Sequence, residues 1–487
     1  MKKTNVPVVT LAIFMTTFMA AIEGTIVSTA MPTIVSDLNG LEIMNWVVSI
    51  FLFMTAVSTP LYGKLADSIG RKPVFLFGIA LFVVGSSLCG LAQNMVELIL
   101  FRVIQGLGSG AVQPVAITII ADLYTLNKRT KMLGLNSGFW GVASVIAPLL
   151  GGFIVQHLSW HWIFYINVPI GVIAFLLVLF YLKEPKHHTK SKLDLKGTVW
   201  LIVLLLTLMF FLQELGSLSL WIMLALAALI ILAVIAFIRA EKRADDPIMP
   251  FTMLKDREFL ALNLIALLIS GVVIGFEFYI PTWMQGINGT NASLAGFAVT
   301  PSSVMWVVGS FLIGWMLGHW GIKRTFDYML ILLVFADLVL VFVPIYTPFW
   351  VFCVVAAVNG FAFGAITTAA QVRSQVLVDP KDIGVATSFN TLMKYLGQTM
   401  MVSIYGITFN TIVAHQLAKH SNLNQGMMNK IVSAAKAKEL APNLIPQLRQ
   451  VLFSALKGVY VVSFVVIIIS IVLNHIYKVH KIKHSTH

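Results

Sequence analysis

Charge is what this sequence has least of: 11% of its 487 residues are Asp, Glu, Lys or Arg, where a water-soluble domain carries about 25%. So few ionic groups exclude both a cytosolic enzyme and a disordered chain. Cysteine is scarcer still. Cys89 and Cys353 are the whole complement, and both stand in apolar stretches, which excludes a disulfide framework. No phosphate-cradling loop occurs, since "GLGSGAVQP" at 106–114 lacks the G-K-[ST] ending; ATP does not drive this chain by itself. His187 and His188 have no further ligands at zinc spacing, so no metal site is expected. The net charge of +13 is scattered through short loops rather than gathered on one face, which argues against a nucleic-acid partner. What abounds is apolar, 58% of the chain. The partner this composition demands is a lipid bilayer.

A helix needs about 20 apolar residues to cross a hydrocarbon core of roughly 30 Å. Fourteen segments qualify, near 8–30, 45–64, 73–92, 98–121, 133–157, 161–182, 197–214, 219–239, 259–281, 295–318, 326–346, 349–372, 384–411 and 450–477. Lys2 and Lys3 ahead of the first run imitate a signal peptide. Glu23 interrupts that run and no small-residue cleavage site follows, so it reads as a retained helix. Lysine and arginine alternate by loop: Lys64, Arg71 and Lys72, then Lys128, Arg129 and Lys131, then 183–196, and so on to Lys478–Lys483 on one side. The short loops opposite have none. Positive loops stay inside, so both termini are expected in the cytoplasm. The outer loop 412–449 breaks the pattern with five basic residues, but long loops translocate regardless of charge. Its "NKIVSAAKAKEL" stretch fits an amphipathic surface helix and a solvated loop equally.

The chain also repeats. "GKLADSIGRK" at 63–72 and "GWMLGHWGIK" at 314–323 share glycines seven apart at an offset of 251, and "QGLGSGA" from Gln105 matches "NGFAFGA" from Asn359 at an offset of 254. The offsets map helices 2 and 4 onto helices 10 and 12, a shift of eight where simple duplication of six would shift six. The expected architecture is all-α, 6 + 2 + 6: an N-terminal bundle (1–183), an inserted helix pair with basic linkers (184–258), and a C-terminal bundle (259–487) that includes the outer loop.

These residues resemble a known family. "GKLADSIGRK" looks like the major facilitator superfamily signature G-x-L-A-D-x-x-G-R-K, and "LILFRVIQGLGSGA" resembles its helix 4 motif with Arg102 as the arginine. "IEGTIVSTAMP" and "SWHWIFYINVPIG" are similar to helix 1 and helix 6 patterns of the 14-helix drug:proton antiporters (EmrB/QacA type), with Glu23 for aspartate and His161 for arginine. "ASVIAPLLGG" at 143–152 matches the helix 5 antiporter motif imperfectly: Ala143 and Ala147 replace glycines while Pro148, Gly151 and Gly152 remain. Alanine is also small enough for close helix packing.

An ionisable group within a bilayer needs a reason. Counted at 1.5 Å per residue, Glu23 lies roughly 22 Å and Arg102 roughly 24 Å from the cytoplasmic side, matched in depth within one bundle. Such an acid feels opposing influences, burial against the cation, and is suited to exchanging a proton for a cationic substrate. The bland alternative is a structural tie between helices. Glu277 and Asp337 are the second-half candidates, with Lys394 as a candidate partner. Asp67, Arg71 and Asp122, with Gly63 and Gly70, stand at inner helix ends; the resemblance implies a cytoplasmic gate there, with Asp67 facing a helix N-terminus, that of helix 11. Phenylalanine (33) and methionine (21) abound and suit an adaptable pocket, though no position stands out.

The expectation is therefore a plasma-membrane exporter, no enzyme and without cofactor, monomeric, exchanging protons for amphipathic, cationic small molecules by alternating access. A narrow exporter of one metabolite, lipid or antibiotic such as tetracycline has the same signature. A peptide:proton symporter lacks its E-x-x-E-R-F-x-Y-Y here, and a sensor would need a soluble domain.

Overall fold

The computed structural model describes residues 4–184, 195–214, 218–243, 251–379 and 383–477, with the side chains of all but a few of them; Asp67 is among the exceptions, and the linkers around His187, His188 and 244–250 lie outside. Every regular element described is a helix, as a spanning backbone without water partners requires.

In chain order they are α1 (Val6–Leu38), α2 (Met44–Ile69), α3 (Arg71–Cys89), α4 (Met95–Leu123), α5 (Leu126–His157), α6 (Trp162–Tyr181, broken for one residue at Ile166), α7 (Leu195–Gln213) and α8 (Leu220–Glu241). After these come α9 (Arg257–Thr282), α10 (292–320), α11 (322–342), α12 (Phe349–Val376), α13 (Ile383–Lys419) and α14 (Ile445–Ile476). Side-chain caps start several of them: Asn94 on α4 accepts from the Glu97 amide at 2.9 Å, Asp256 on α9 from Glu258 at 2.8 Å, and Asn291 on α10 from Leu294 at 2.9 Å.

Eleven helices among the described residues are long and apolar enough to cross a membrane. Three expected segments stand apart from that count. Residues 292–342 form one hydrogen-bonded run, turned at Gly321 where φ is 72° and ψ 171°. The apolar stretch of α7, Lys196–Phe211, is short, and α13 interleaves Thr387, Asn390, Thr391, Lys394, Gln398 and Thr399 with its apolar residues.

The packing is repeated. In the first half α1 packs on α5 and α6, and α4 on α2 and α3; in the second α9 packs on α13 and α14, and α12 on the α10–α11 run. The halves meet along α2/α13, α5/α10 and α1/α9. The pair α7–α8 attaches at the edge, α7 against α2 and α13, and α8 on α7. Gly70 (φ 103°, ψ 153°) turns α2 into α3 as Gly321 turns α10 into α11, a backbone region open essentially to glycine alone. The lysine two residues after each glycine repeats its task as well. Lys72 Nζ donates to the Leu179 and Leu182 carbonyls (2.7 Å each) at the end of α6, and Lys323 Nζ to that of His475 (3.4 Å) at the end of α14.

Both described chain ends lie at one end of the bundle, here the proximal end. At the other, distal end the halves are in contact. Asn45 accepts from the Tyr279 hydroxyl at 2.8 Å, Asn410 donates to the Glu42 carbonyl at 2.7 Å, and Asn429 accepts from the Leu41 amide at 3.1 Å. A Cβ on Gly152 would stand 2.6 Å from the Ala292 carbonyl, so α5 and α10 touch backbone to backbone. At the proximal ends of the same seams, Gly63, Gly138, Gly314 and Gly384 have no described atom within 4 Å of such a Cβ. The halves thus touch at the distal end, and no described atom lies against these four glycines at the proximal end.

The distal loop is neither the surface helix nor the plain solvated loop that its sequence allowed equally. Its helix is Gln425–Ile431, followed by a single 3-10 turn at Lys436–Glu439. Met428, Ile431 and Val432 are buried in the main core, and Lys436 reaches Asp37 of the first half at 3.6 Å. Burying three apolar side chains against the bundle wins over laying them on a membrane surface.

Candidate functional site

The fold brings Glu23 of α1 and Arg102 of α4 into direct contact: Arg102 Nη1 donates to Glu23 Oε1 in an ion pair that is 1% and 0% exposed on its two sides. Residues 102 and 105 share a face of α4, and the same Nη1 donates to Gln105 Oε1 at 2.7 Å, while Arg102 Nε donates to the Val47 carbonyl at 3.0 Å. Asn167 of α6 donates to the second Glu23 oxygen at 2.7 Å and lies 3.2 Å from Ser86 Oγ, which also accepts from Gln105 Nε2 at 2.6 Å. The guanidinium is sandwiched between rings, its carbon 4.1 Å from the centre of Phe51 and 5.9 Å from that of Phe164. A buried pair is costly unless the remaining donors and acceptors are met; this network meets most of them, while Asn167 Oδ1 has no partner among the described residues. Gln105 and Asn167 lie inside the two quoted motifs, so the sequence carried their signal; only the fold shows that they share one carboxylate.

Between the two halves lies a cavity whose empty space, mouth included, is about 820 Å³. Eight helices line it: α1, α2, α4 and α5 from the first half, α9, α10, α12 and α13 from the second. Its wall is aromatic and amide-bearing, with Phe51, Trp140, Trp306, Phe363, Tyr395, Gln113 and Gln398, and has no methionine among the described residues. Glu277 is the acid in that wall. It makes no ion pair among the described residues, and Lys394, one residue from Tyr395, joins neither Glu277 nor Asp337. The structure separates these two acids, which the sequence grouped. Asp337 is 1% exposed, has its Oδ2 buried without a hydrogen-bond partner among the described residues, and does not line the cavity.

At the proximal end Arg71 pairs with Asp122, joining α3 and α4 within the first half. The side chain of Asp67 lies outside the described residues. The acid that caps a helix here is one the sequence did not single out. Glu184, just after α6, accepts from the Arg71 amide at 2.7 Å and the Lys72 amide at 2.9 Å at the start of α3, where a negative charge is stabilised. The helix 5 residues serve the seam. Ala147 is fully buried, Gly151 lies against Ile26 of α1, and Pro148 and Gly152 meet Gly296 and Ala292 of α10.

An all-helical bundle of repeated halves around a central cavity defines a membrane transporter. The chain belongs to the Major Facilitator Superfamily, whose profile matches residues 13–402; this is a family of transporters, not enzymes. It is 37% identical to Multidrug resistance protein 3 of Bacillus subtilis (strain 168) over 85% of this chain and 82% of that one. It is 31% identical to the multidrug efflux pump SdrM of Staphylococcus aureus (strain N315), over 82% and 89%. Its fold is similar to that of a bacterial homologue of the human lysosomal transporter Spinster in an inward-facing, occupied conformation, with a TM-score of 0.71, 16% identity and 97% of both chains covered.

Proposed function

We propose that this protein is a proton-coupled exporter of lipophilic, cationic compounds in the plasma membrane, working by alternating access. The observation that carries the reading is the Glu23–Arg102 pair, buried in the first half while its helical neighbours Ala20, Ala21, Gly24 and Thr25 line the cavity. A proton on Glu23 loosens its hold on Arg102, and a lone proton carrier so close to the cavity can report to the substrate. Glu277, in an aromatic wall, supplies the anion that a cationic substrate meets. The names of the bacterial relatives support efflux as the direction.

In this reading the bundle has fourteen spans as 6 + 2 + 6, with α7, α10, α11 and α13 crossing too; the repeated packing and the peripheral pair α7–α8 support it. The proximal end is cytoplasmic, as its lysines and arginines favour. In this reading Arg71, Asp122, Gly63, Gly70 and Asp67 form the cytoplasmic gate that opens and closes through the cycle. Protons entering down the membrane potential gain about 2.3 kcal/mol per charge per 100 mV.

The test is Glu23→Gln in proteoliposomes with an imposed pH gradient and a fluorescent lipophilic cation. Export is expected to fall by roughly 100-fold, the scale of losing a positioned proton carrier, with the protein still folded. Gradient-driven export at the native rate from that variant would overturn the reading.

A further inference from the structure

The cavity comes within one residue of Glu23 along α1 and stops. Ala20, Ala21, Gly24 and Thr25 form its wall, yet Glu23 is 0% exposed, because successive residues of a helix point about 100° apart and its carboxyl turns toward α4. Across the gap stands Phe51 of α2. Its ring belongs to the cavity wall and packs over the Arg102 guanidinium at 4.1 Å, and it is 4% exposed. Phe51 thus touches both the cavity and the ion pair.

The second half provides the control. Glu277 follows Glu23 by 254 residues, the spacing from Gly106 to Gly360. A Cβ on Gly106 would stand 2.8 Å from the Phe51 carbonyl oxygen, and one on Gly360 would meet the backbone of Ser302, 2.6 Å from its Cα. Ser302 therefore holds the place of Phe51. Where the repeat has a serine, the acid lies in the cavity wall; where it has phenylalanine, the acid is sealed.

We infer that Phe51 is the partition that couples the cavity to the proton-carrying pair: its ring keeps water and lipophilic substrate off Glu23 until a bound substrate displaces it. The ring is suited to this. It is apolar toward the cavity, it lies over the guanidinium, and its displacement breaks no side-chain hydrogen bond. This rests on Glu23 as the proton carrier, so the test must separate the two claims.

The probe is a small carbodiimide, which modifies protonated carboxyls, applied to the protein in lipid vesicles and read by peptide mass spectrometry. In the native protein Glu277 is expected to be modified readily and Glu23 slowly. In Phe51→Ala modification of Glu23 is expected to rise about tenfold or more, the signature of a lowered local opening cost, with Glu277 unchanged as the check on folding. Phe51→Tyr, which keeps the ring, is expected to match the native protein, and Phe51→Leu serves if the alanine variant does not assemble. In substrate-free vesicles with a pH gradient, Phe51→Ala is expected to leak protons and the double variant with Glu23→Gln not to. Unchanged Glu23 modification in a folded Phe51 variant overturns the partition whatever Glu23→Gln does to export. A leak that persists in the double variant overturns the coupling, and the export assay of Glu23→Gln alone then shows whether the reading of Glu23 fails with it.

Discussion

In the first half Glu23 is held by Arg102, Asn167 and, through them, Gln105 and Ser86; in the second, Glu277 faces the cavity with Ala356 standing 254 residues after Arg102. Asn359, at the corresponding distance from Gln105, is fully buried with neither amide atom hydrogen-bonded among the described residues. One repeated pattern is thus filled twice, once as a buried charged network and once as an acid in the cavity wall. The difference teaches that position in the repeat does not fix a carboxylate's surroundings. The residues at the matched places do: Arg102 against Ala356, and Phe51 against Ser302.

Breaking the first-half network gives the largest effect. Arg102→Ala leaves Glu23 buried without its charge partner, and such a loss costs about 3–5 kcal/mol. A much lower unfolding temperature in detergent is expected, partly restored when Glu23→Gln is added. Glu277→Gln breaks no pair, so its thermal stability should stay near native. If it proves as damaging as Arg102→Ala, the contrast between the halves is wrong.

Glu277→Gln sharpens the comparison by substrate charge. Losing a charge-assisted contact of about 1.5–3 kcal/mol predicts a ten- to hundredfold weaker Kd for a lipophilic cation, measured by equilibrium binding, and little change for a neutral compound of similar size. Equal loss for both would make Glu277 a structural residue of the wall.

The smallest effect compares the two glycine turns. Alanine at either Gly70 or Gly321 forces a backbone region costing about 1–3 kcal/mol. At Gly70 the new Cβ also lies 2.8 Å from the Glu184 carboxylate that caps α3, whereas at Gly321 no described atom lies within 4 Å. Gly70→Ala should therefore be the more damaging of the two by thermal unfolding. The reverse order would remove Glu184 from the turn's design.

Much of this was legible in the chain. Scarce charge and long apolar runs dictate a helical membrane protein, because only a helix or a closed barrel satisfies its backbone in lipid. The two matched glycine motifs announced the repeat, and Gly70 and Gly321 share a backbone turn accordingly. Glu23 and Arg102 were marked by their cost inside a bilayer and matched in depth by counting residues. The facing of side chains was not legible. A helix surrounded by lipid on one side and apolar core on the other shows no polar stripe from which to read direction. So only the tertiary structure decided that Glu277 lies in the cavity wall and Asp337 away from it, that Asn167 reaches Glu23 across 144 positions of sequence, that the distal loop folds into the core, and that Phe51 lines the cavity while packing over Arg102.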